Sequence, residues 1–229
     1  MHVGSSLNQF DTILVPRGAE YRAVRRGLQP IFPTLPIWAI PVGLRATKQY
    51  LQNAIATQKP SRILLLGLCG SLQPHLGVGD VVLYDCCLYG DADSARQQPC
   101  DRQLTAMLAE RLGKQVTRVR GLTSDSLVVS ADRKRALEQL YQADVVDMEG
   151  FTVLQQFNAI GTSVAMLRVV SDDSHFDLPD LSAAIATAEG RLKPLPLALK
   201  LLGQPRASAR LIRGSLKALR VLQGLGTSL

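Results

Sequence analysis

The sequence predicts a single α/β domain with a mainly parallel, twisted central sheet flanked by helices. Short apolar runs alternate with helical patterns along residues 12–190, as they do in repeated β-α units. The run "RILLLGL" at residues 62–68 is almost continuously apolar, as expected of a strand covered on both faces. A chain of 229 residues is long enough to bury a well-formed core in one such domain.

The predicted elements alternate in a regular order. Apolar or alternating runs predict strands at residues 12–15, 37–42, 62–68, 79–85, 115–122, 143–146 and 163–172. Helical periodicity predicts helices at residues 19–28, 45–58, 102–113, 130–141 and 151–161. Ser130 is a candidate N-cap and Gly113 a helix stop. The carboxyl ends of the parallel strands then meet at one rim of the sheet, where ligands bind.

The net charge of +7 is concentrated near the end of the chain. Residues 190–229 hold eight basic side chains and no acidic one, which leaves 18 of the 26 basic residues against 19 acidic residues elsewhere. We therefore divide the chain into a catalytic domain at residues 11–190 and a basic amphipathic helical tail at residues 191–229. Within the tail, basic residues at 206, 210, 213, 217 and 220 fall in a helical sector of roughly 80°.

This basic tail has two interpretations. It either packs on the domain with a solvated basic face or binds a membrane surface. Binding to nucleic acid is not predicted, because no aromatic or recognition motif accompanies the charge.

Composition also bears on the class of protein. No apolar run approaches the roughly 18 residues of a transmembrane helix, and the first 15 residues lack the pattern of a signal peptide. The four cysteines form no CxxC pair and have no His at metal-ligand spacing, which is typical of free thiols in a reducing compartment. We therefore expect a cytoplasmic protein without a metal, with peripheral membrane contact through the tail as the alternative.

Acidic and small residues follow four of the predicted strands at the ligand-binding rim. In chain order they are Glu20, Gly67, Gly70, Ser71, Glu149, Ser171, Asp172 and Asp173. Carboxyl groups that converge in this way suit glycosidic bond cleavage, in which one protonates the leaving group and another activates water. Each group alone has a structural alternative: a first-turn acid, a helix cap, a turn pair or a tight glycine turn.

Three stretches of the chain resemble the purine nucleoside phosphorylase and uridine phosphorylase superfamily, which includes the methylthioadenosine/S-adenosylhomocysteine nucleosidases. "LLLGLCGSLQPHLGVGDVVLYD" resembles its G-x-x-G-x-L turn and following G-D strand, "VDMEG" its V-[DE]-M-E stretch, and "LRVVSDD" its R-x-x-S-D. The resemblance covers about residues 11–175. It implies an enzyme that releases the base from a purine nucleoside, with a 5′-modified adenosine such as methylthioadenosine or S-adenosylhomocysteine as substrate.

The resemblance also implies roles for individual residues. Asp172 would protonate or hydrogen-bond N7 of the purine, and Asp173 beside it leaves the position of the acid open by one residue. Glu20 would activate the attacking water. Glu149 would bind the ribose hydroxyls, with Met148 packed against the sugar.

Further positions are implied to line the substrate site. Ser71, beside Gly70, would lie near the ribose or an anion. Ser126 and Leu127 would hold the base. Ser171 directly precedes the acid.

Two departures from the family pattern concern the anion site. The phosphorylases have an Arg and a Ser where this chain has Leu65 and Leu68, which favours water over phosphate as the nucleophile because an anion site without donors is weak. Arg17 is a candidate replacement cation, so phosphorolysis remains the alternative. Leu127 stands where the family has an aromatic residue, which leaves the base open.

The resemblance to known families also extends to the tail and to the oligomeric state. "LPDL" and the proline-interrupted basic end resemble the hopanoid-biosynthesis-associated phosphorylases, which implies adenosylhopane as an alternative, lipid-like substrate. The resemblance implies a homo-oligomer, usually a dimer in the nucleosidase branch. It implies no metal or organic cofactor, and phosphate only as a co-substrate of phosphorolysis. The alternative of another class is a non-catalytic nucleoside-binding or membrane-associated protein.

Overall fold

A mixed eight-stranded sheet forms the centre of the fold in the computed structural model, which describes residues 6–179 and 205–229. Its strands are β1 (Thr12–Pro16), β2 (Ile37–Ile40), β3 (Arg62–Ser71), β4 (Val81–Tyr89), β5 (Arg96–Pro99), β6 (Val116–Thr123), β7 (Val145–Asp147) and β8 (Ser163–Asp172). The helices of the described ranges are α1 (Ala19–Leu28), α2 (Leu44–Thr57), α3 (Arg102–Leu112), α4 (Ala131–Tyr141), α5 (Gly150–Asn158) and α6 (Pro205–Gly224). The predicted fold class is confirmed.

Five strands pair in a closed circuit, which the strand patterns did not predict. β3 pairs with β8, β8 with β4, β4 with β6, β6 with β7, and β7 returns to β3. The contacts β3–β8, β4–β6 and β6–β7 are parallel, whereas β4–β8 and β3–β7 are antiparallel. β1 and β2 extend the sheet from β3, and β5 extends it from β4.

A register shift in β3 helps to form the rim. The pairing of β3 with β8 slips between Cys69 and Gly70, so that Gly70 lies opposite Asp172. Such irregularities often re-aim side chains near functional sites. A Cβ added at position 70 would lie 2.8 Å from Asp172 Oδ2, so the absence of a side chain at this position gives Asp172 its room.

Helices cover both faces of the sheet. One apolar core lies under α2 and α5 and includes Leu51, Phe151 and Phe157, all buried. The second core lies under α1, α3 and α6. Helices on both faces explain why β3 and β8 are apolar along almost their whole length.

The last helix packs into the second core. Ala218 and Leu222 are buried there, and Gly214 lies so close to the end of β8 that a Cβ would stand 2.5 Å from Ser171 O. The basic side chains of α6 that the structure describes, Arg210, Arg213, Lys217 and Arg220, are on its exposed face. The predicted boundary near residue 190 lies outside the described residues, as do the basic positions 191, 193 and 200.

Candidate active site

A buried arginine gathers three carboxyl groups at the rim of the sheet. Arg168, on β8, has no solvent-exposed side-chain surface. Its Nη2 lies 3.4 Å from Asp147 Oδ2 and 3.6 Å from Glu149 Oε2. Glu20, in the first turn of α1, interacts with the charge of Arg168 and accepts a hydrogen bond of 2.7 Å from the main-chain N–H of Leu68. The structure therefore places Glu20 and Glu149 near the same guanidinium.

The glycine turn of β3 makes room for this cluster. A Cβ at Gly67 would lie 2.5 Å from Arg168 Nη1 and 2.6 Å from Glu20 Oε2. Arg168 Nη1 also donates to the main-chain oxygen of Leu68 at 3.2 Å, so the main chain of one residue, Leu68, contacts both the Glu20 carboxyl group and the Arg168 guanidinium. Any side chain at position 67 would push these two groups apart.

Three carboxyl groups lie around one guanidinium, and the pKa values of two of them, Glu20 and Glu149, are raised. The pKa of Glu20 is raised to about 8, mainly by burial; Arg168 opposes this shift, and the negative charges of Glu149 and Asp147 add to it. Burial likewise raises the pKa of Glu149 to about 7, and Arg168 again opposes the shift. Burial lowers the pKa of Arg168, but Asp147 and Glu149 outweigh that effect and raise it overall. Perturbed carboxyl groups of this kind are typical of active sites.

Glu149 does not cap its own helix, although it occupies the N-cap position of α5. Instead its Oε1 accepts from the main-chain N–H of Gly43 at 3.0 Å. Asp147 stabilises the start of α5, because its Oδ1 accepts from the N–H of Gly150 at 3.0 Å and from the hydroxyl of Thr123 at 2.7 Å. Asp147 thus fixes the β7–α5 junction, and Glu149 is left to face the cluster.

Asp172 stands at the end of β8 and is held at both oxygens. Ser171 Oγ donates to Asp172 Oδ1 at 2.8 Å. Lys134 Nζ forms an ion pair with Asp172 Oδ2 and donates to the main-chain oxygen of Asp173 at 2.6 Å. The Asp173 carboxylate instead accepts from the N–H of His175 at 3.0 Å. The geometry therefore favours Asp172 over Asp173 as the acid.

A small pocket opens beside Asp172 and gathers most of the residues implied to bind substrate. Its lining residues are Gly70, Ser126, Leu127, Val128, Val146, Asp147, Met148 and Asp172. The predicted contact of Ser71 is not seen in this conformation: Ser71 is buried, and its hydroxyl donates to Gln73 O at 2.7 Å, which commits it to the turn after β3. Its role stays a prediction.

The position that binds phosphate in the phosphorylases is apolar. Leu65 is buried in the core. Arg17 is exposed; its Nε donates to Ala39 O at 3.0 Å, and its guanidinium lies over the ring of Tyr50 at 5.3 Å. Leu65 is thus part of the core, and the Arg17 guanidinium already contacts Ala39 and Tyr50. In the two described ranges, no group of three or more potential metal ligands is found, and no helix is long and apolar enough to cross a bilayer.

Two charged residues of this site had no role predicted from the sequence: Lys134, and Arg168, which is the Arg of the R-x-x-S-D stretch. Both residues could have been recognised from their positions in the sequence. Arg168 interrupts the apolar run of β8, and Lys134 lies three residues from both Ala131 and Leu137 on the buried face of α4. A charged residue on a buried face is almost always paired, so such positions mark candidate partners for the acids.

The model of the phosphorylase superfamily matches residues 37–193. The 5′-methylthioadenosine/S-adenosylhomocysteine nucleosidase of Staphylococcus aureus strain JH9 is 28% identical over 131 residues, which cover 50% of this chain and 58% of the relative. The chain thus matches less than two thirds of the length of this curated relative.

Two Helicobacter pylori structures share the fold. The 5′-methylthioadenosine/S-adenosylhomocysteine nucleosidase superposes with a TM-score of 0.70 at 16% identity, over 95% of this chain and 96% of that one. Futalosine hydrolase superposes with a TM-score of 0.66 at 17% identity, over 95% and 97%. At these identities the likeness concerns the fold.

Proposed function

Because the chain belongs to the phosphorylase superfamily, we propose that it is an enzyme that hydrolyses the N-glycosidic bond of a purine nucleoside. One observation carries the proposal: Asp172, held at both oxygens, lines a pocket at the rim of the sheet, and a second carboxyl group of raised pKa, Glu20, bonds to the main chain of β3 at the same rim. Two carboxyl groups with different environments are what this chemistry requires.

The proposed reaction assigns one step to each acid. Asp172 passes a proton to N7 of the purine, the bond between C1′ and N9 breaks, and its electron pair stays with the base. Water attacks C1′ of the oxocarbenium-like sugar and releases a proton to the Glu20 carboxylate. Glu149 is assigned to the ribose hydroxyls; its carboxyl group is held in place by Gly43 N–H at one oxygen and by Arg168 near the other.

The proposed substrate is an adenosine modified at its 5′ position, such as methylthioadenosine or S-adenosylhomocysteine. The names of the curated relatives support this class. Hydrolysis is favoured over phosphorolysis, because Leu65 is buried and apolar and Arg17 is engaged by Ala39 and Tyr50. The mechanism uses no metal or organic cofactor; phosphate would enter only as a co-substrate of phosphorolysis.

The first prediction is that the protein releases adenine from methylthioadenosine in phosphate-free buffer. Adding millimolar phosphate should leave the rate unchanged, and the sugar product should be free 5-methylthioribose. The measurement is chromatography of both products. Release that depends on phosphate and yields the sugar 1-phosphate would replace hydrolysis by phosphorolysis. If the protein binds nucleosides but cleaves none of them, not even one with a lipid-like 5′ group, the non-catalytic alternative would be favoured.

We also propose that the exposed face of α6 contacts anionic membrane surfaces from the cytoplasm. Ile212 and Leu216 are about half exposed, at 49% and 50%, and they lie beside the exposed Arg213 and Arg220. Basic side chains next to exposed apolar ones suit the interface of an anionic bilayer. We further propose that the chain forms a homodimer, which sedimentation equilibrium would test.

The second prediction is that the protein sediments with vesicles containing phosphatidylserine but not with vesicles of phosphatidylcholine alone. Binding should weaken as salt rises, because the charges are exposed. The double variant Arg213→Gln/Arg220→Gln should lose most of the binding, whereas the exposed control Lys114→Gln should keep it. Equal recovery of the wild type with both kinds of vesicle, or with neither, would contradict the proposal.

A further inference from the structure

Lys134 is a fully buried lysine whose ammonium group contacts the proposed acid. Its side chain has no exposed surface. Its Nζ pairs with Asp172 Oδ2 and donates to Asp173 O at 2.6 Å. Burying a lysine is costly, and a buried ion pair adds little net stability compared with apolar side chains of the same volume. An apolar residue would also fit the buried face of α4, so stability alone does not explain a lysine here.

The start of α4 is joined to the loop that follows Asp172. Asp177 Oδ1 accepts from the N–H of Ala131 at 2.7 Å. The N–H of Leu178 donates to Val129 O at 2.8 Å. Together with the ion pair, these contacts connect the two segments at three points. The direction from which Lys134 meets Asp172 is therefore fixed by the fold and does not depend on the lysine side chain alone.

We propose that Lys134 is a positioning residue for Asp172 and the source of the proton that Asp172 delivers to the base; this rests on the proposed function. In the resting site the proton is on Nζ, as in an ion pair. As the base leaves, the Nζ–H bond breaks and its proton moves to the Asp172 carboxylate. Asp172 passes this same proton on to N7, while the C1′–N9 electron pair stays with the base. Lys134 then regains a proton from solvent after the base departs.

This role makes the need for Lys134 depend on the leaving group. A purine must be protonated to leave, whereas a 4-nitrophenolate leaves as a stable anion and needs no acid. A lysine that acts only on the architecture of the site would affect both substrates equally. The comparison of two substrates therefore separates proton delivery from a structural role.

The third prediction concerns Lys134→Met, which keeps the length of the side chain and removes its charge. We expect kcat for methylthioadenosine to fall by about 10²–10³-fold, the size of a lost acid contribution. With 4-nitrophenyl 5-methylthioriboside the loss should stay below about tenfold, because this leaving group takes no proton from Asp172. Lys114→Met, at an exposed position, is the matched control and should act like the wild type.

A second variant covers the case in which Lys134→Met does not fold. Lys134→Ala leaves a space that ethylammonium or propylammonium can enter, and these amines should restore kcat for methylthioadenosine in a saturable way. Tetramethylammonium, which has no N–H, should not. Equal losses on both substrates, no loss on either, or no rescue by the amines would overturn the inference. A wild type that cleaves neither substrate would instead refute the proposed function.

Discussion

Replacing Asp172 by Asn is expected to lower kcat for a purine nucleoside by about 10²–10⁴-fold, the contribution of a positioned general acid. The amide has nearly the shape of the carboxyl group, so the pocket beside Gly70 should persist. The same change leaves the buried ammonium of Lys134 without its partner, which typically costs about 3–5 kcal/mol. The variant should therefore be both inactive and less stable, measured by base release and by thermal unfolding.

Two further variants separate these effects. Asp172→Asn/Lys134→Met removes both charges and should recover stability without recovering activity. Asp173→Asn should keep most of the activity, because this side chain bonds to the N–H of His175 and does not line the pocket. A fully active Asp172→Asn enzyme would contradict the assignment of the acid.

Replacing Glu20 by Gln is expected to have the opposite effect on stability. The folded-state pKa of Glu20 is about 8 against an ordinary value of 4.5, so the folded state binds a proton that the unfolded chain has lost. Stability contributed by this group is thus greatest in acid and decreases as pH rises from about 4.5 to 8. Gln mimics the protonated acid, so the melting temperature of Glu20→Gln should exceed that of the wild type increasingly across this range.

The activity of Glu20→Gln should fall by about 10²–10⁴-fold, because Gln cannot take the proton of the attacking water. In the wild type, kcat/KM should rise with pH towards about 8, where Glu20 becomes ionised, and this rise should disappear in the variant. The combination of lost activity and raised stability is characteristic of a catalytic group that the fold keeps under strain. A variant that is less stable than the wild type at pH 8 would contradict the burial of this carboxyl group.

The fold was predictable from the sequence where strands are apolar and helices periodic. β3 and β8 are covered on both faces and show this in their residues. β5 was missed because "RQQP" is polar and mostly exposed, as an edge strand can be, and no apolar alternation marks it. The closed circuit was also missed, since strand patterns do not specify which strands pair.

The site was predictable to the extent that its acids follow strands. Glu20 and Glu149 meet at the rim, and Asp172 lines the pocket with Met148 and Leu127. The basic side chains that pair with these acids come from elsewhere in the chain: Arg168 from within β8 and Lys134 from α4. Their effect depends on three-dimensional approach, which single-residue patterns do not encode.

The closed circuit of strands has a consequence for how the protein avoids aggregation. Because five strands pair with one another, the sheet of the described residues ends at only two strands, β2 and β5. Each has four residues; β5 ends at Pro99, and Pro36 and Pro41 flank β2. Short edges bounded by proline offer few free backbone groups to the edge of another molecule. We therefore expect copies of this chain to associate through side-chain surfaces and not by extending the sheet.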